Sequence, residues 1–159
     1  MEINPVPYEG DNVETVATGV VLAYPFAILR MGMGHLCGYV GITEAHPLHG
    51  CTYSTRKPEF SKLIDGVKVA DWPGALPYIP IFCQLEGEDY SLDVCIPVHG
   101  GITYGSKGND NDLWWLGFDC AHAEDRDDPK DESYVREQVE VLARALHHAD
   151  QILSEKEAR

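Results

Sequence analysis

Two short stretches concentrate side chains that can do chemistry. The first is "VHGGITYG", Val98 to Gly105, where His99 is followed by Gly100 and Gly101 and then by Thr103 and Tyr104. Glycine projects no side chain, so backbone N–H groups there can approach a phosphate closely. The second is "FDCAHAED", Phe118 to Asp125. Asp119 ends an apolar run, where a carboxylate needs a partner to offset its desolvation. Asp119, His122 and Asp125 are three apart, and in a helical turn they share roughly one face. With His99, Asp119 and His122 form a nitrogen–oxygen set suited to zinc, manganese or magnesium, with positions left for water. Without a metal, His99 and His122 could do general acid–base work.

Cys120 opens a thiol alternative. A helix start and a neighbouring imidazole would lower its pKa and make it a nucleophile. "HGGITYG" followed by "DCAH" superficially resembles the permuted papain-like hydrolases, but only 21 positions separate His99 from Cys120. That is too few for the strands such a fold needs between them. A further pair, His46 and His49 in "EAHPLHG", lies in a loop punctuated by Pro47 and Gly50. Either could reach a ligand beside His99, although a loop histidine is more often simply exposed. His147 and His148 fall off the apolar stripe of the C-terminal helix and read as surface.

Sharper motifs fail. "HAE" at 122–124 opens like the zinc deaminase signature, but no cysteine follows Cys120 to complete it. "DRDDPKDE" lacks the glycine and the final glutamate of a calcium loop; counted from Asp125, the twelfth position is Arg136. No HExxH, P-loop or dinucleotide fingerprint is present.

The elements that must position these residues can be read from periodicity. "AYPFAILRM" (23–31) and "HLCGYVGI" (35–42) are β-rich runs separated by "GMG", a hairpin signal. Residues 1–13 read as an irregular lead-in, and Pro58 could open a short helix in "KPEFSKLIDGV". "SLDVCIPVH" (91–99) alternates, with Leu92, Val94, Ile96 and Val98 on one face. "LWWLGF" (113–118) is a second strong strand close enough to pair with it. In the tail, Val135, Val139, Leu142, Leu146, Ala149 and Leu153 form one apolar stripe of a helix spanning 133–155. Ser133 or Asp131 can cap it, and its heptad-like spacing is compatible with a homodimer seam. The expected fold is α+β, an antiparallel or mixed sheet packed against a long C-terminal amphipathic helix, in one domain over residues 1–159.

Bulk composition narrows the partners. The formal charge of −14 over 159 residues argues against direct contact with nucleic acid, which requires a basic patch. It permits binding to a basic protein surface. No apolar run approaches the length of a membrane span and no basic leader precedes one. The expectation is a cytoplasmic protein with no membrane partner. The five cysteines (Cys37, Cys51, Cys83, Cys95, Cys120) include no CxxC, and in a reducing compartment they read as thiols.

"GHLCGYVGITEAHPLHG", "DVCIPVHGGITYG", "WWLGFDCAHAED" and "YVREQVEVLARAL" occur in that order. Together they resemble a group of small hypothetical proteins encoded by bacteriophages and prophages. Members carry a GYVGV…GHPL segment, an HGGLTY segment, a WWFGFDCAHAGD segment and a terminal YVRxE helix. The resemblance covers roughly residues 34–146 and departs at Glu124, where glycine is usual. It implies a context and no activity: an accessory viral protein acting on host machinery in the host cell, as in evasion of host defence.

Two functions are therefore expected. One is a His/Asp pocket that binds, or with a divalent metal hydrolyses, a small phosphorylated ligand such as a signalling nucleotide. The other is an acidic inhibitor covering a basic nucleic-acid-binding surface of a host protein. Its contacts would be the N-terminus and the acids of 124–140, among them Asp127, Asp128, Asp131 and Glu132. A Cys/His thiol hydrolase is a lesser third.

Overall fold

"YPFAILRM" and "LCGYVGI" are apolar at nearly every position, so each strand must be covered on both faces. That is how the chain uses them. The computed structural model describes residues 5–55, 92, 96, 98, 102–109, 111–120 and 131–155. Within these, β1 (Val13–Val21), β2 (Tyr24–Met31), β3 (Leu36–Ile42), β4 (Tyr104–Lys107) and β5 (Trp114–Asp119) form one antiparallel sheet in the order β1-β2-β3-β5-β4. The helix α1 (Glu132–Glu155) packs on β3 and β2, giving an α+β arrangement.

The alternation of each central strand splits the core in two. Phe26, Ile28, Leu36, Val40, Ile42, Leu116 and Phe118 face α1. There they meet Val135, Val139, Leu142, Leu146, Ala149 and Leu153, all buried. Arg136, Glu137, Glu140, Arg144 and His147 lie on the exposed part of the helix. Its start is capped by Asp131, whose Oδ1 accepts the Tyr134 N–H at 2.9 Å. Ala27, Leu29, Cys37, Tyr39 and Trp115 point the other way, where Val6 and Tyr8 of the N-terminal segment pack against them.

Two glycines make the central pairing this tight. At Gly38 a β-carbon would lie 2.6 Å from Phe118 Cζ and 2.9 Å from Val139 Cγ2, so its absence lets the ring and α1 close down on β3. Gly117 stands opposite both Tyr39 and Tyr104, and a β-carbon there would meet Tyr39 Cδ1 at 2.4 Å. The two tyrosines instead stack edge-on, with centroids 5.2 Å apart.

The structure corrects the expected strand pattern in two places. Val13–Val21 is a full edge strand rather than unassigned chain; a bulge between Thr15 and Ala17 breaks its alternation, which removes the period-two signal. On the other side, β5 pairs with Tyr104–Lys107, a strand outside the expected 91–99 run. Of that segment, Leu92 is helical and Ile96 and Val98 lie at bends, although all three are buried as their shared face suggested. The β4–β5 hairpin is closed by Gly108 N–H to Leu113 C=O at 2.9 Å. Asn111 braces it: its Oδ1 accepts from Leu113 N–H and Trp115 Nε1–H, and its Nδ2 donates to Val6 C=O. The helix expected after Pro58 lies outside the described residues.

Candidate functional site

The pairing of β4 with β5 brings one residue from each of the two chemistry-bearing stretches together, Thr103 and Asp119. Thr103 N–H donates to Gly117 C=O at 2.9 Å, which carries the ladder one residue beyond β4. The Thr103 hydroxyl then donates to Asp119 Oδ2 at 2.9 Å. Residues sixteen apart in sequence, one from "HGGITYG" and one from "FDCAHAED", are thus joined at one end of the sheet. Thr103 is exposed and Asp119 half-buried. Asp119 is also the register partner of Cys37 on β3.

His99, Gly100, Gly101 and His122 lie outside the described residues, so two members of the expected metal set, His99 and His122, are not placed. Among the described residues, no group of three His, Cys, Asp or Glu side chains could hold a metal ion. Tyr104 is placed, but its ring is used in packing: it lies against Tyr39 and, with centroids 5.7 Å apart, against Tyr8.

Cys120 does not share the space of Asp119. Successive residues of a strand point to opposite faces, and Cys120 turns into the α1-side core, where it is 4% exposed. Its N–H donates to Leu36 C=O. A thiol so placed is not presented to a substrate as the nucleophile expected from sequence. Cys37, on the Asp119 side, is buried too. Burial pushes its pKa up to about 11, and the neighbouring Asp119 carboxylate adds to the rise against a lowering hydrogen bond from Tyr39. It is a neutral thiol at pH 7.

His46 and His49 are both placed. The 43–51 loop leaves β3 after Ile42, the residue opposite Trp114, whereas Asp119 is opposite Cys37. The start of the loop and Asp119 therefore stand at opposite ends of β5, about 17 Å apart at the usual rise of a strand. His46 is buried and both ring nitrogens are committed: Nδ1 accepts from Leu48 N–H at 3.0 Å, and Nε2 donates to Leu146 C=O at 2.8 Å. It fastens the loop to α1 and is not available to a ligand. His49 rests on Trp114 with ring centroids 5.7 Å apart, and its buried Nε2 has no hydrogen-bond partner among the described residues. Sequence reasoning gave no signal for this clamp, because its partners are a backbone amide and a carbonyl one hundred residues away.

The clamp makes stability depend on pH. Burial, first, holds the His46 pKa below its ordinary 6.5, with His147 and His49 acting in the same direction against Leu146 and Asp150. Its stabilisation is fully present above 6.5. As the pH falls below that value the unfolded chain binds the proton first, and the contribution is lost on the way down to the folded pKa. His148, also lowered by burial, acts with the same sign. Urea midpoints measured on either side of this window should fall on acidification, and His46→Gln should flatten the dependence.

Of the acids expected to contact a basic partner, Asp127 and Asp128 lie outside the described residues. Asp131, Glu132, Glu137 and Glu140 are exposed, but Arg136 and Arg144 share the exposed face of α1 with them. The charge there is mixed. No family model matches the chain, and no curated protein or solved structure matches it. Among the described residues, no helix is long and apolar enough to cross a membrane.

Proposed function

We propose that the Thr103–Asp119 end of the sheet belongs to a pocket that binds a small phosphorylated ligand, such as a nucleotide or signalling nucleotide, in an accessory protein of bacteriophage type that counters host defence. The observation that supports the reading is the 2.9 Å hydrogen bond from Thr103, two positions after Gly101, to Asp119. Gly100 and Gly101 would offer backbone N–H groups to the phosphate. Asp119 requires a further component. A carboxylate beside a phosphate repels it, and the net charge of −14 does not help. A divalent cation held by this carboxylate would offset the repulsion. Asp119, His99 and His122 are the donors we assign to zinc, manganese or magnesium, and such an ion would also activate water for phosphoester hydrolysis.

Binding should therefore need a divalent cation. A panel of nucleotides, each with and without magnesium, manganese or zinc, should raise the melting temperature of the wild type only when cation and phosphate are both present. At a hundredfold excess over Kd the stabilisation is about 2.7 kcal/mol, which is roughly 5–10 °C for a chain of this size. His99→Ala and His122→Ala should each abolish the shift. A cation-independent shift, or one that survives in both variants, would count against the assignment.

A further inference from the structure

We propose that His46 is an acid-released latch between the 43–51 loop and α1. The two hydrogen bonds of the ring fix its tautomer. Leu48 N–H can only donate, so Nδ1 carries the lone pair; the Leu146 carbonyl can only accept, so Nε2 carries the proton. The next proton must go to Nδ1. That turns the acceptor into a donor facing the Leu48 N–H, and the contact becomes repulsive. The loop cannot keep its place on the charged ring.

The loop is anchored at its far end by buried Leu48 and Cys51, and His46 supplies its side-chain hydrogen bond to α1. Its backbone runs through single turns, His46 N–H to Thr43 C=O, His49 N–H to His46 C=O and Cys51 N–H to Leu48 C=O. Among the described residues, the titratable groups around the ring come from three elements. Tyr24 of β2 packs edge-on at 5.9 Å, His49 belongs to the loop, and His147 and Asp150 belong to α1. The two histidines oppose a charge on His46 and Asp150 favours it. Burial decides the balance, so the ring is neutral and the latch closed at neutral pH.

Release has a route to the rest of the sheet. The Cys51 carbonyl accepts the Trp114 indole N–H at 2.8 Å. The same backbone lies so close to β4 that a β-carbon at Gly105 would come within 2.9 Å of the Cys51 oxygen. Loop 43–51 therefore braces the β4–β5 pair, whose other end carries Thr103 and Asp119. The latch itself requires no ligand at that end.

The test is a magnetic resonance titration of the full chain from about pH 7.5 to about pH 5, the range in which histidines titrate. Ring nitrogen spectra should show the Nε2–H tautomer at the start. As His46 takes up its proton, amide protection at Leu48, His49 and Cys51 should fall together by about tenfold or more, the equivalent of one lost buried hydrogen bond, while the β2–β3 amides keep theirs. Asp150→Asn removes the charge that favours the protonated ring, so release should move to lower pH. In His46→Gln, protection of the loop should not vary over this range. Proton uptake by His46 with Leu48 protection unchanged would overturn the latch. So would release in Asp150→Asn at the wild-type pH, which keeps the test decisive if His46→Gln does not fold.

Discussion

Trp115→Ala is expected to cost about 3–5 kcal/mol of folding stability, the usual range for deleting a large buried aromatic. Trp115 is fully buried on the face of the sheet away from α1. It pairs with Gly41 on one side and Ser106 on the other, and its indole N–H donates to Asn111 Oδ1 at 3.0 Å. Removing the ring would leave a cavity between β3, β4 and the N-terminal segment and take one partner from Asn111. Against a total of about 5–15 kcal/mol for a typical domain, the loss is a large fraction, and the melting temperature should drop by roughly 10 °C or more. Urea denaturation gives the direct value. Trp115→Phe keeps most of the apolar area and should cost less than half as much. If Trp115→Ala lost under about 1 kcal/mol, the range of an ordinary surface change, the second face would not be a core.

Phe118→Ala is expected to be as costly, about 3–5 kcal/mol, on the opposite face. Phe118 is 1% exposed and lies over Gly38 beneath Val139 of α1. The fit is tight enough for the two positions to couple. Gly38→Ala alone should cost about 1–3 kcal/mol by overpacking, because its β-carbon would fall on the Phe118 ring edge. In the double variant the ring is gone and the added methyl has room, so the combined loss should be clearly smaller than the sum. Trp115→Ala with Phe118→Ala should instead add, since the two rings belong to different clusters. Denaturant midpoints of the four variants and two doubles would show this. Additivity for Gly38 with Phe118 would contradict the close approach of α1 to β3.

Local patterning made part of this architecture readable. The β2–β3 hairpin follows from two apolar runs around "GMG", and the buried side of α1 is the stripe Val135 to Leu153 that the spacing specified. Both signals are periodic and contiguous. What escaped was set by irregularity or by distance in sequence. The bulge at Thr15/Ala17 hid β1, and the alternation of Leu92, Ile96 and Val98 marked burial correctly, although Leu92 is helical and Ile96 and Val98 lie at bends. His46 was legible as a reactive type, but its role depends on a carbonyl of α1. In the candidate site, Asp119 and Thr103 were named from their neighbours, and the structure joins them directly. Cys120, one residue further, points into the opposite core, a consequence of strand geometry that spacing alone implied only if β5 reached that far.

We propose that Asp119, held by Thr103, serves a cation-dependent phosphate site. Calorimetric titration of a nucleotide with manganese into wild type, Asp119→Asn and Thr103→Val tests it most directly. Saturable binding by the wild type is expected, with none in the absence of the metal. Asp119→Asn should lose at least about tenfold in affinity, the equivalent of about 1.4 kcal/mol, and Thr103→Val should weaken binding less, since it removes only the hydroxyl that positions the carboxylate. Equal affinity in wild type and Asp119→Asn, or no heat with any nucleotide and divalent cation, would contradict the claim.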